Sequence, residues 1–436
     1  MIMDVKMKEQ LLEVFASKLS RSVRMYMENC ARCGACIEAC HVYASSPETR
    51  YTAVGRAQNL RKLFEKYYKA TGKLAPWLSE AVELDDHWMQ KVYETAFTCT
   101  GCRRCMTYCP FGIDTQQFQA IAKAMLIAAD MEPKVLTMLA DVSIAKGQNI
   151  DVTKETFAEA CRKLEAEVVE KWRQEAGHDA IPLEVQDARV LYVALAGKHS
   201  IVPAAAILNA AQESWTLSYF EAVNFGAFVG NPVITKQIAQ RIIDEATRLN
   251  VKEVAVCECG TAYRVMRHMT GKHPFKVITF IQLIERYLRE GRITVSKILG
   301  ASRVTYHDPC QIARNGGVYE APRYILRQLT DNYVDTNPTK SANWCCGGGG
   351  GLVIVGDKDF RMMSAKVKAE QLKATGATVL ATACENCHSQ LTDVNEHYQL
   401  GMNVQFISGL VADALVNADA SSRTKHEFAQ AVAASA

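Results

Sequence analysis

Residues Asn343–Gly351 read "NWCCGGGGG", two adjacent cysteines running straight into five glycines. A disulfide between chain neighbours is strained, and structural zinc prefers paired C-x2-C knuckles. The run has neither the G-x-G-x-x-G register nor the lysine of a phosphate cradle. Glycines carry no Cβ, so backbone there can pass close to a bulky group, and their amides can hydrogen-bond its sulfur. Two further stretches carry cysteines just past strand-like runs: "RVTYHDPC" ends at Cys310, and "VLATACENC" ends at Cys387. In doubly wound sheets, ligands bind beyond the carboxyl ends of the strands. Three loops from such an edge gather Cys310, Cys345, Cys346, Cys384 and Cys387 at one place.

The rest of the chain agrees with a metal reading. It has 436 residues, 49% of them hydrophobic and 22% charged, with a net charge of +3. That balance lacks the basic excess of a nucleic-acid binder, so no nucleic acid is expected. The N-terminus has no apolar signal region, and no stretch reaches the ~18 apolar residues of a membrane span. A cytoplasmic chain is therefore expected, and sixteen cysteines in a reducing compartment call for metal or redox chemistry. Cys161 and Cys259 stand apart from the clustered cysteines; Cys161 reads as a small buried hydrophobe.

Near the N-terminus, "CARCGACIEAC" (30–40) and "CTGCRRCMTYCP" (99–110) both follow C-x2-C-x2-C-x3-C. This is the bacterial ferredoxin run, in which three close thiolates hold one 4Fe–4S cube and the fourth ligates the other. One cluster takes Cys30, Cys33, Cys36 and Cys109; the second takes Cys99, Cys102, Cys105 and Cys40. His41 stands where the first run lacks the usual proline. The insert of about sixty residues between the runs is helical in pattern.

Beyond a helical stretch, two halves share one layout. "ARVLYVAL" and "SRVTYHDPC" read as buried strands; "FGAFVGN" (225–231) and "GLVIVGD" (351–357) each lead into an amphipathic helix. "VKEVAVCECG" and "ATVLATACENC" follow as strands. Strand–helix–strand order repeated twice implies α/β units with parallel sheets. Sliding one half over the other sets Cys257 opposite Cys384, Gly260 opposite Cys387 and Ala196 near Cys310. The first half is therefore a repeat that has lost most of its thiols. Cys257 and Cys259 are read there as scaffold, with a redox role in the cleft as the sharper alternative.

The pattern "HDPC…CCGGGGG…ACENC" resembles the CCG cysteine-rich domain of heterodisulfide reductase and its relatives. Its spacing fits, with 34 residues between Cys310 and the pair and 37 from the pair to Cys384. From residue 25 to 395 the chain resembles the D subunit of heterodisulfide reductase. It is closer still to the K subunit of the Dsr complex and the iron–sulfur subunits of the Tmc and Hmc transmembrane cytochrome complexes. The resemblance implies an α+β chain: a ferredoxin-like domain with two clusters (1–125), a helical linker (126–186), a degenerate CCG repeat (187–300), and a cluster-binding CCG repeat with a C-terminal tail (301–436). It implies two cubane 4Fe–4S clusters and one noncubane 4Fe–4S cluster, the last held by Cys310, Cys345, Cys346, Cys384 and Cys387.

The implied role is an electron-transfer subunit of a membrane-associated redox complex. Its partners would be a membrane cytochrome b subunit, a multihaem cytochrome c subunit and a cytoplasmic thiol/disulfide carrier. Thiol–disulfide chemistry is expected at the C-terminal cysteines, with a pure relay and a glycolate- or lactate-type oxidase subunit as rival readings. His307, Asp308, Glu385 and His388 adjoin the ligands and are read as proton or hydrogen-bond donors or as loop structure; His199 is a weaker candidate for the same cleft. The chain is expected at the inner face of the cytoplasmic membrane through its partners. The N-terminal stretch, with Leu11, Leu12, Phe15 and Leu19 on one side, is either a docking helix or packed on the chain's own core.

Overall fold

The computed structural model describes residues 3–148, 152–172, 180–195 and 197–416. Ala196 and the tail from 417 lie outside them.

The N-terminal third is helical because its helices are capped where the sequence offers oxygen acceptors. Asp4 accepts from Met7 N–H, Thr52 from Gly55 N–H and Asp85 from Trp88 N–H, starting Val5–Lys18, Ala53–Tyr68 and Asp86–Ala96. Their apolar faces close on one core with helix Thr115–Ala128, which runs through the boundary expected at 125. Leu11, Phe15 and Leu19 are buried in that core. Amphipathicity showed that this face is covered, and the cover is the chain itself rather than a partner.

Two parallel sheets follow. The first contains β1 (Val190–Val193), β2 (Trp215–Leu217), β3 (Glu253–Val256) and β4 (Lys276–Thr279), in the order β2-β1-β3-β4. The second contains β5 (Val304–Tyr306), β6 (Tyr333–Asp335), β7 (Val379–Thr382) and β8 (Asn403–Phe406), in the order β6-β5-β7-β8. The two orders are the same, so the chain carries one α/β unit twice. Every strand pair is parallel, and helices cross between them as parallel ladders require.

Backbone bonds fix the correspondence. Val190 N–H donates to Ser214 O as Val304 N–H does to Asn332 O, and Arg189 O accepts from Glu253 as Arg303 O does from Val379. On this register Cys257 matches Ala383, one position away from the sequence alignment. The loop after β3 is a residue longer, so Cys259 caps helix Gly260–His268 as Cys384 caps Glu385–His397. Cys161 is buried in the core of the first unit, where burial pushes its thiol up to about 11.

Candidate metal centres

The crossed pattern of the ferredoxin runs appears in the placement of their thiols. The Cys36 thiol is raised first by burial, then by Cys109 and Cys30 beside it. Burial likewise pushes Cys105 up to about 12, reinforced by Cys99 and Cys40. One cavity is walled by Cys40, Cys99, Cys102 and Cys105 together, the four residues expected to hold the second cluster. Among the described residues, Cys33 is the one exposed cysteine.

The C-terminal group is assembled from three loops. Cys310 lies in the loop that follows β5. Cys345 and Cys346 come after β6, past the short helical turn Lys340–Ala342. Cys384 and Cys387 straddle the start of the helix after β7. Cys346 Sγ lies 3.4 Å from Cys387 Sγ. Cys102, Cys310 and Cys346 lie against Cys345 and hold its thiol well below the ordinary range. Cys102, assigned by spacing to the second ferredoxin cluster, thus stands at the wall between that cavity and the C-terminal group.

The glycines have two uses. Gly347 and Gly348 N–H donate to Cys345 and Cys346 Sγ, each at 3.5 Å. Gly350, at φ +67°, presses on the other domain: a Cβ there would lie 2.6 Å from Cys99 O. The run therefore also locks the C-terminal loop onto the ferredoxin loop. His41 does the same from the other side. Its Nδ1 lies 2.9 Å from Ser364 O and its Nε2 3.2 Å from Thr100 Oγ1, and Thr100 Oγ1 is 3.4 Å from Cys345 Sγ. The missing proline at 41 was the only sequence signal for this bridge.

The donor set fits iron–sulfur clusters. Lys123, Arg104 and Lys368 are buried, yet they spend their hydrogen bonds on neutral oxygens. Lys123 Nζ donates to Phe228 O and Gly350 O at 3.0 and 3.2 Å. Arg104 donates to Ala342 O and Ala39 O at 2.9 and 3.0 Å, and lies over the Trp344 ring. Lys368 donates to Asn343 Oδ1 and Gln371 Oε1 at 3.0 and 2.7 Å. Among the described residues, none of these cations has a carboxylate within ion-pair distance. Buried charges are normally paired; thiolates bearing iron would supply the opposite sign here. Burial lowers Lys123 and Lys368 to about 8; Cys99 opposes that shift at Lys123, and Asp308, followed by Cys346, Cys387 and Cys345, opposes it at Lys368.

The neighbouring groups divide by role. Asp308 is spent on Arg323 through two bonds of 2.8 Å, so it braces the loop. Glu385 pairs with His199 at 2.8 Å, and His199 and His388 both stack on Phe406, at 5.4 and 4.1 Å. Cys259 is buried beside Cys384, and burial pushes its thiol up to about 12. Cys257 is buried in the first core, raised well above the usual thiol range by burial.

Residues 26–113 match the 4Fe-4S dicluster domain, and residues 304–392 match CCG, a cysteine-rich domain. The chain is 24% identical to the Hdr-like menaquinol oxidoreductase iron-sulfur subunit 2 of Archaeoglobus fulgidus, over 95% of this chain and 85% of that protein. It is 26% identical to the D subunit of the dihydromethanophenazine:CoB–CoM heterodisulfide reductase of Methanosarcina mazei, over 90% of this chain and 94% of that protein. A third relative, the EtfAB:quinone oxidoreductase of Syntrophomonas wolfei, is 22% identical over 84% of this chain but only 55% of its own length. The chain carries both domains, a 4Fe–4S dicluster domain and a cysteine-rich CCG domain.

Proposed function

We propose that this chain, built from those two iron–sulfur domains, is the electron-carrying subunit of an Hdr-like oxidoreductase complex. It passes electrons between a membrane cytochrome b or quinol partner and a thiol–disulfide couple met at the C-terminal cysteines. A multihaem cytochrome c is the alternative electron partner on the membrane side. The chain sits peripherally at the inner membrane face through these partners; no helix among the described residues is long and apolar enough to cross a membrane.

The observation that supports this reading is the contiguity of the three thiol groups. Cys36 lies near Cys109 and also near Cys105, Cys105 near Cys40 and Cys99, and Cys102 against Cys345. Bound there as two cubanes and one noncubane cluster, 4Fe–4S groups would supply one-electron carriers in series. Cys30, Cys33, Cys36 and Cys109 hold the first, Cys99, Cys102, Cys105 and Cys40 the second, and Cys310, Cys345, Cys346, Cys384 and Cys387 the third. The protein's own contribution is to exclude water, place buried cations against the thiolates and lock the two domains through His41 and Gly350. The exposed Cys33 puts the first group nearest an outside partner.

A relay without a substrate of its own is the second reading, favoured by the burial of Cys345, Cys346 and Cys387. Cys310 and Cys384 are only half-buried and leave the third group an outlet. Reoxidation of the reduced chain separates the two. Recovery of the oxidised spectrum on adding a disulfide or persulfide supports the thiol–disulfide reading. Recovery with a haem partner alone supports the relay and overturns substrate chemistry.

A further inference from the structure

The loop after β5 holds a polar group that the electron path leaves unused. His307 is 1% exposed, and its Nε2 is buried with no hydrogen-bond partner among the described residues. Buried polar atoms are nearly always satisfied, so an orphan calls for an explanation. The ring lies against the C-terminal thiols: a ring nitrogen of His307 and the sulfurs of Cys346 and Cys387 are all within 4.8 Å of one another.

The surrounding network settles which nitrogen carries the proton. Lys368 can only donate, and its Nζ is 3.0 Å from Asn343 Oδ1; Thr336 Oγ1 also donates there, at 3.4 Å. The Asn343 amide is thereby oriented, and its NH2 donates to Asp308 O at 3.2 Å and faces His307 Nδ1 at 3.4 Å. A nitrogen that receives an N–H must be the acceptor of a neutral imidazole, which leaves the proton on Nε2. The order Lys368, Asn343, His307 ends on an N–H with no acceptor among the described residues.

We infer that the His307 Nε2–H is a hydrogen-bond donor to the sulfur of the group held by Cys346 and Cys387, with its tautomer fixed by Asn343 and Lys368. This rests on the reading that the five C-terminal thiols hold a cluster. His307 is on this account a positioning residue. A donor aimed at cluster sulfur stabilises the added negative charge of the reduced state and raises the reduction potential. The first α/β unit offers the contrast: the strand register places Val193, an apolar buried residue, where His307 stands.

The test uses the full chain, reconstituted with iron and sulfide. In the wild type, the C-terminal cluster shows an exchangeable-proton coupling that disappears in D2O, and a nitrogen coupling that changes on labelling histidine with 15N. His307→Phe removes the proton coupling and makes one-electron reduction of that cluster about tenfold less favourable, about 59 mV more negative; both cubanes keep their potentials. His307→Gln, which retains an N–H, recovers part of the shift, and Asn343→Leu weakens the coupling by freeing the tautomer. An iron-replete His307→Phe protein with the wild-type potential and proton coupling overturns the inference. Should that variant fail to assemble, the wild-type couplings decide, and their absence from a protein with a third cluster overturns it equally. A wild-type chain holding about eight irons rather than about twelve overturns the underlying cluster reading itself.

Discussion

The two α/β units share strand order, register and helix placement, yet only the second gathers thiols. Their charges are also invested at opposite edges. In the first unit, Glu213, Glu253, Arg189, Arg286 and Arg292 knit together the amino ends of the strands. In the second, the buried pair is Arg323 with Asp308, at the carboxyl edge beside the cysteines. Where the second unit has His307, Cys384 and Cys387, the first has Val193, Cys259 and Ala262. The sheet therefore forms without that set of thiols, and the edge that carries them has its own bracing.

Substitutions that respect this division should behave very differently in the two units. Cys345→Ser should remove the third cluster, about four of about twelve irons, while Cys259→Ala leaves iron content unchanged; iron and acid-labile sulfide analysis reads both. Equal losses would mean that the units are not distinct.

The next effect is on stability in the first unit. Burial alone would raise the Glu213 carboxyl, but hydrogen bonds from Arg189 and Tyr287 and the charge of Arg292 hold it at about 2. A carboxyl depressed in the folded state stabilises above its unfolded pKa, and that stability is lost as pH falls through the folded value. Glu213→Gln should cost about 3 kcal/mol at pH 7 and flatten the fall in stability between about pH 5 and pH 2. Denaturant unfolding at several pH values measures it; an unchanged acid profile would contradict the assignment.

Gly350→Ala addresses the lock between domains. The new Cβ meets Cys99 O in a left-handed backbone, costing about 2 kcal/mol and slowing electron arrival at the third cluster. Rapid-mixing reduction followed by freeze-quench spectroscopy would show the third cluster lagging behind the cubanes. The smallest effect is expected at Cys257→Ala. As a buried apolar side chain, it should cost about 1 kcal/mol with every cluster signal intact.

Much of this was legible in the sequence. The cysteine spacings announced the dicluster domain over 26–113 because a tight loop must wrap each site, and the repeat showed in strand and helix patterns of like length. What escaped was set by contacts distant along the chain. His41 reads as a lapse in a motif until Ser364 is seen beside it, and the glycine run reads as metal-directed until Cys99 is found against Gly350. Cys102 follows its spacing, but no spacing tells that it also meets Cys345. One added residue after β3 shifted the alignment of the repeats, a difference that only the ladder bonds reveal. The face of the first helix was read correctly as covered, but a pattern of apolar positions does not name the cover.

Anomalous diffraction at the iron edge, on crystals of the reconstituted full chain, would locate every iron group directly. Three separate iron groups are expected, the third bounded by the sulfurs of Cys310, Cys345, Cys346, Cys384 and Cys387. Two groups only, or a zinc edge in place of iron at the third, would contradict it.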